Sequence, residues 1–323
     1  MDIFKEKKVN SDKKLSQLKR NLSSIPEIEP FQDLAIFATG SYARGEASTF
    51  SDIDLFFVNR LTTKSIPDIN IRTLRLFAKI VEIADEMEFP KFSNDGEFLK
   101  IIESPQILEH LGNSADDYMN HFTARLLMIL ESKPVFGLKS YNNILREVLG
   151  RYFEDYPDHP EDFRPTFLIN DIIRFWKTLC LNYENKRNQP IEDEQKRIAQ
   201  KIKNLKLKFS RMLTCFGSVC YIASENGTIG PEQLIKMTQL SPIERLRHSV
   251  RTFDLCEEMG RAEKQYGWFL KLTNVSEEDL RKHFSEKGNR IEAFKNADAF
   301  GNAIFEITKK ISSETGYLRY LVV

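Results

Sequence analysis

The stretch that most constrains the fold of this chain is residues 38–58, which reads ATGSYARGEASTFSDIDLFFV. An apolar run at residues 34–39 has the length of a buried β-strand. Gly40 and Ser41 interrupt this run, because glycine lets the backbone turn sharply and serine can act as the N-cap of a short helix. After a polar loop, residues 52–58 predict a second strand. The sequence therefore predicts two neighbouring strands connected through a tight strand-to-helix turn.

The second predicted strand carries two carboxylates. Because side chains alternate along a strand, we expect Asp52 and Asp54 to share one face. Neighbouring carboxylates repel each other unless a cation lies between them, and oxygen ligands beside a phosphate favour Mg²⁺. Backbone N–H groups at Gly40 and Ser41 are suited to hold that phosphate. Together these features are typical of phosphoryl or nucleotidyl transfer.

The same residues resemble the signature of the DNA-polymerase-beta-like nucleotidyltransferase superfamily, in which a Gly-Ser turn precedes an Asp-x-Asp strand. The fuller pattern, GSYARGE at 40–46 and SDIDL at 51–55, is similar to the bacterial branch of the PII-protein uridylyltransferases and the minimal nucleotidyltransferases. After residue 104 the chain reads as successive helices. We therefore expect an α+β fold: a small mixed-sheet nucleotidyltransferase core at 1–137, and an all-helical lobe at 138–323 that completes the nucleotide and acceptor cleft.

The resemblance implies a metal site with three carboxylates. Asp52 and Asp54 would bridge two Mg²⁺ ions, with Mn²⁺ as the alternative metal. In the family a third carboxylate, from a later strand, helps to bind one metal and takes the proton from the attacking hydroxyl. Glu97 is the favoured candidate because it begins the apolar run Phe98-Leu99, and Asp95 is the alternative.

Several residues are candidates for contacts with the nucleotide. Gly40 and Ser41 are expected to hold the β- and γ-phosphates, whereas Arg44 supports the turn, contacts the triphosphate or lies in solvent. In several nucleotidyltransferase branches a helix supplies a Lys and a Ser to the terminal phosphates, and Lys208 and Ser210 resemble that pair loosely.

A strongly basic helix is predicted at about 192–223. Seven lysines and arginines lie between Lys196 and Arg211 with no acidic residue among them, although the formal net charge of the chain is +0. The helix is either a solvated face with lysine stems on apolar surface, or a clamp on an anionic ligand. On another predicted helix, Lys177 is a further phosphate candidate beside an expected Asp171–Arg174 pair.

These features predict a cytoplasmic enzyme that transfers a nucleoside monophosphate from ATP or UTP to a protein or RNA hydroxyl and releases pyrophosphate. The resemblance extends to enzymes of toxin–antitoxin and phage-defence systems. The alternatives are a synthase of nucleotide second messengers and a catalytically weak, antitoxin-like regulatory module. The sequence contains no apparent leader or membrane span, and its cysteines form no CxxC pair. We interpret all four as buried free thiols: Cys180, Cys215, Cys220 and Cys256.

Overall fold

The computed structural model describes residues 2–60, 70–92, 99–109, 111–112, 116, 120–188, 193–225 and 229–322. The chain forms two compact units, Met1–Arg151 and Tyr152–Val323. The first unit contains the sheet and the second is helical, so the predicted α+β class is confirmed.

A four-stranded mixed sheet lies in the first unit. Its strands are β1 (Leu34–Thr39), β2 (Asp54–Asn59), β3 (Ile101–Glu103) and β4 (Lys133–Phe136). They are arranged in the order β3-β2-β1-β4, with β1 antiparallel to both neighbours and β2 parallel to β3. All six residues of β1 are buried, as expected for a central strand covered on both faces.

Helices cover both faces of this sheet. In chain order they are α1 (Ile3–Ser23), α2 (Gly40–Arg44), α3 (Ile71–Glu86), α4 (Ser104–Glu109), α5 (His121–Leu130) and α6 (Leu138–Arg151). Leu18 of α1 and Ile80 of α3 belong to one apolar core with Ile36 and Leu55 of the strands. On the opposite face Phe37 stacks on Phe56 at 5.7 Å and meets Tyr141 of α6 edge to face.

The first unit extends past the boundary expected at 137/138, because α6 packs on the sheet through Tyr141. The strand β4, which ends just before the expected boundary, was not predicted from the sequence. That strand is only four residues long and contains Pro134, so it lacks the periodic apolar pattern that identifies a strand. Proline is tolerated there because β4 is an edge strand.

The second unit consists of helices and short turns in the part that the structure describes. The helices are α7 (Thr166–Arg187), α8 (Glu194–Lys206), α9 (Met212–Ser224), α10 (Pro231–Gln239), α11 (Pro242–Ser249), α12 (Cys256–Leu272), α13 (Glu277–Ser285), α14 (Lys287–Glu314) and α15 (Leu318–Val322). Between α8 and α9 the chain stays helical but widens into a π-helical segment, Leu207–Arg211. The basic helix predicted from the sequence therefore exists as α8, the π segment and α9.

The π segment is fixed in the core of the second unit by Phe209. Its ring stacks on Phe269 of α12 at 4.6 Å and on Phe300 of α14 at 4.9 Å. Phe209 has no exposed surface, so the orientation of its neighbours in the segment is determined by this packing.

The cysteine prediction is correct for only part of the set. Cys215 and Cys220 are buried on α9, and burial raises the pKa of each thiol to about 12. Cys180 is half-buried, whereas Cys256 is exposed at the start of α12, so its predicted burial is wrong. All four thiols are free.

None of the helices within the described ranges combines the length and the apolar character that crossing a membrane requires.

Candidate active site

The candidate site is built from β1, α2 and β2. Thr39, the last residue of β1, pairs with Asp54, the first residue of β2. Between them Gly40 has φ +68, a conformation that residues with a Cβ rarely adopt. The chain turns into α2 at this point, with Thr39 in the N-cap position. Ser41 is therefore inside the first turn of the helix, and its predicted role as the N-cap is wrong.

Gly40 and the Asp54 carboxylate are in close contact. A Cβ placed on Gly40 would lie 3.0 Å from Oδ2 of Asp54. A side chain at this position would therefore push against the carboxylate as well as strain the backbone. The structure therefore brings Gly40 and Asp54 together, as expected if both belong to one site.

Strand β2 begins at Asp54, two residues later than the strand predicted from residue 52, so Asp52 and Ile53 lie in the segment before it. Ile53 is only 1% exposed and belongs to the sheet core, whereas Asp52 and Asp54 on either side of it are half-buried. The two carboxylates thus face away from that core. Their oxygens form a donor set that fits a hard divalent cation.

Two ligands alone do not complete such a metal site. Within the described residues no group of three or more acidic, histidine or cysteine side chains is arranged to hold a metal. Asp95 and Glu97, the candidates for a third carboxylate, lie outside the described residues. The metal-binding role of Asp52 and Asp54 and the identity of the third ligand both stay predictions.

Asp52 also influences Tyr42 of α2. The pKa of the Tyr42 phenol is raised to about 12, chiefly by burial and further by the negative charge of Asp52. Tyr42 is 3% exposed and packs edge to face on Phe89 at 5.3 Å. This electrostatic influence indicates that Asp52 lies near α2, as Asp54 lies near Gly40. The sequence analysis did not assign Tyr42 a role.

Arg44 is held inside the protein by two acids. Its Nε donates to Glu46 at 2.7 Å and its Nη1 donates to Glu131 at 2.7 Å. The side chain is 8% exposed, and the side chain of Glu131 is fully buried. Among the three roles considered for Arg44, these contacts support stabilisation of the turn.

The loop after α2 is connected to α1. Ser11 Oγ accepts a hydrogen bond from the Ala47 backbone N–H at 3.1 Å and donates to the carbonyl of Lys7 at 2.8 Å. The pKa of Lys7 is lowered by burial, against the opposing charges of Glu6 and Glu46. Helix α1 thus fixes the segment between α2 and β2. Sequence reasoning missed this connection because Ser11 has no distinguishing local pattern.

The second unit contains the remaining nucleotide-binding candidates. Lys208 and Ser210 both lie in the π segment, and π-helical turns often occur at functional sites. Lys208 Nζ donates to Asp298 of α14 at 2.8 Å. Ser210 is buried and accepts a hydrogen bond from Tyr266 at 3.4 Å. Their proposed contacts with phosphates stay a prediction.

Lys177 is exposed on α7. The expected pair beside it is present, since Arg174 lies 3.5 Å from the Asp171 carboxylate. Asp171 also accepts a hydrogen bond from Tyr152 at 2.7 Å, which explains the burial of this acid. Nothing in these contacts assigns Lys177 a ligand.

Comparison with known proteins identifies the class of the first unit. Residues 15–107 match the family model of the nucleotidyltransferase domain. The match begins within α1, includes the Gly40 turn, Asp52 and β2, and ends in α4. This part of the chain is a nucleotidyltransferase domain of the DNA-polymerase-beta-like superfamily. No curated protein matches the chain significantly.

The domain match supports transfer of nucleotidyl groups as the general reaction. Members of the family generally use divalent metal ions, which agrees with the carboxylates of Asp52 and Asp54.

Proposed function

We propose that this protein is a metal-dependent enzyme that transfers a nucleoside monophosphate from a nucleoside triphosphate, ATP or UTP, to a hydroxyl of a protein or RNA. The acceptor oxygen forms a bond to the α-phosphorus, and the bond from that phosphorus to the β-phosphate oxygen breaks. Pyrophosphate leaves with the electrons of the broken bond. The close contact between Gly40 and Asp54 is the observation that carries this proposal, because it joins the phosphate-binding turn to a metal-binding acid.

Four residues of the turn and of the segment that enters β2 have roles in this reaction. Asp52 and Asp54 would hold the divalent cations, for which Mg²⁺ is the expected ion and Mn²⁺ the alternative. Bound ions would neutralise charge on the phosphates and lower the pKa of the acceptor hydroxyl. Gly40 leaves room for the β- and γ-phosphates, and the hydroxyl of Ser41 donates a hydrogen bond to them. A third carboxylate, Glu97 or Asp95, receives the proton of the acceptor hydroxyl.

The buried ion pairs of Arg44 prepare the site for this chemistry. Because Arg44 bonds to Glu46 and Glu131, the helix that follows Gly40 is fixed before any ligand binds. A turn that is already fixed does not have to be ordered when the nucleotide binds, and preorganised groups stabilise developing charge most effectively.

The proposal is tested by calorimetry with a non-hydrolysable nucleoside triphosphate in the presence of Mg²⁺. We expect Asp52→Ala and Asp54→Ala to lose at least about tenfold in affinity, since each removes a ligand of the ion that carries the triphosphate. Asp85→Ala is the matched control because Asp85 is an exposed acid on α3. Equal binding by all four proteins would contradict the assignment of Asp52 and Asp54.

A further inference from the structure

The second unit has an open, basic groove between α8 and α14 that the nucleotidyltransferase domain match does not include. The groove has a volume of about 900 Å³. Its cationic lining comes from Lys201 of α8 and from Lys287, Arg290 and Lys295 of α14. The sequence analysis identified the basic character of α8 but did not include α14.

The single acid among the described residues that line the groove is neutralised. Asp298 forms an ion pair with Lys208 of the π segment at 2.8 Å. The remaining lysines on its wall therefore act without a compensating carboxylate among the described lining residues. A cluster of positively charged side chains creates a local potential that attracts polyanions, even on a chain with a formal net charge of +0.

Apolar side chains lie among these cations. Ile291 is 61% exposed, and Phe294 lies one helical turn further along α14. The ammonium group of Lys208 lies 6.0 Å from the centre of the Phe294 ring. A basic groove that also contains an aromatic ring is the arrangement by which proteins bind single-stranded nucleic acids, because bases stack on the ring and cations follow the phosphates.

The length of the groove also fits a nucleic acid strand. Lys287 and Asn302 mark the ends of the α14 lining, and at the helical rise they are about 22 Å apart. This length corresponds to about six stacked nucleotides of one strand. Because the groove is open along its side, it suits a continuous strand better than an enclosed small molecule.

We infer that the groove between α8 and α14 binds a single-stranded segment of RNA. The role of this RNA as the acceptor rests on the proposed function, but the binding itself does not. Lys201, Lys287 and Lys295 contact the phosphates, and Phe294 stacks on a base. Arg290 has a different task, since its Nη1 donates to the carbonyls of Phe284 and Ser285 and holds the end of α13.

The test is fluorescence anisotropy of a labelled single-stranded RNA of mixed sequence, measured with the full-length protein and without nucleoside triphosphate. We expect the double variant Lys287→Glu/Lys295→Glu to lose at least about tenfold in affinity. Lys295→Ala should reduce the steepness of the plot of log affinity against log salt concentration by about one unit of slope. Phe294→Leu keeps an apolar side chain but removes the stacking surface, and we expect a loss of about fivefold.

The matched controls are Lys264→Glu on α12 and Lys236→Glu on α10, which change exposed lysines that do not line the groove. Equal losses in the groove and control variants, or no loss in either, would overturn the inference. Binding of an Asp/Glu-rich peptide, but not of RNA, with dependence on Lys287 and Lys295 would also overturn it and identify an acidic protein as the partner.

The variant Asp54→Ala separates this inference from the proposed function. We expect it to bind RNA with the affinity of the wild type, because Asp54 belongs to the nucleotidyltransferase domain. Retained, groove-dependent RNA binding supports the inference even if no nucleotide is transferred. Loss of RNA binding in Asp54→Ala would contradict the assignment of the RNA to the α8–α14 groove.

Discussion

A Cβ added to Gly40 would lie 3.0 Å from Oδ2 of Asp54. This distance connects the two halves of the sequence motif, since Gly40 directly follows the first strand and Asp54 begins the second. Any side chain at position 40 has to displace the carboxylate or the backbone. The glycine is therefore required by the geometry of the site and by its own φ of +68.

We predict that Gly40→Ala lowers nucleotidyl transfer by at least about 100-fold, because a displacement of about 1 Å at reacting groups has effects of that size. The positive φ should cost about 1–2 kcal/mol of stability. Pyrophosphate release and thermal unfolding measure the two effects. The control is Gly150→Ala in α6, where a Cβ meets no atom within 4 Å and alanine should stabilise the helix. Full activity in Gly40→Ala would contradict the role of the contact.

Arg44→Met should destabilise the first unit by about 3–5 kcal/mol, because it leaves two buried carboxylates without their cation. Arg60→Met is the matched control. Arg60 pairs with Glu147, but both side chains are 35% exposed, so its loss should cost no more than about 1 kcal/mol. Urea unfolding followed by circular dichroism measures both values. Similar values for the two variants would show that Arg44 does not fix the turn.

The third carboxylate can be assigned by kinetics. We predict that Glu97→Gln strongly lowers kcat and leaves nucleotide binding nearly unchanged, because a general base contributes mainly in the transition state. Asp95→Asn should have a smaller effect. Steady-state kinetics combined with calorimetry distinguishes the two residues. The reverse order would assign the base to Asp95, and full activity in both variants would exclude both.

Lys208 is a predicted contact of the terminal phosphates from the second unit. We predict that Lys208→Ala raises the KM for the nucleoside triphosphate by about tenfold, as expected for loss of a charged hydrogen bond. Lys203→Ala is the control, since Lys203 lies near Glu277 and contributes to the lowered pKa of that acid. A raised KM for RNA with an unchanged KM for the nucleotide would contradict the phosphate role and place Lys208 in the RNA groove.

The sequence was sufficient to predict the proximity of Gly40 and Asp54, because it depends on local spacing. Gly40, Asp52 and Asp54 are identifiable because a turn and an alternating strand bring them together within a short stretch. The partners of Arg44 were harder to predict, since Glu131 is distant in sequence and reaches it only through the fold. The groove itself was not predicted from the sequence, which indicated only the basic helix that contains Lys201. The lysines of α14 alternate with acids and apolar residues along the chain, so they form no basic run in the sequence.

The most direct test of the proposed function is to follow which phosphate of the nucleotide reaches the acceptor. Purified protein is incubated with Mg²⁺, RNA and cell lysate, and with nucleoside triphosphates labelled at the α- or the γ-phosphate. We predict that the α-label is transferred to a macromolecule, that the γ-label is not, and that Asp52→Ala transfers neither. Sensitivity of the product to RNase or protease identifies the acceptor. Transfer of the γ-label would indicate a kinase, and an α-labelled small product would indicate a second-messenger synthase. Absence of any transfer would favour a regulatory module. Each of these results would contradict the proposed function.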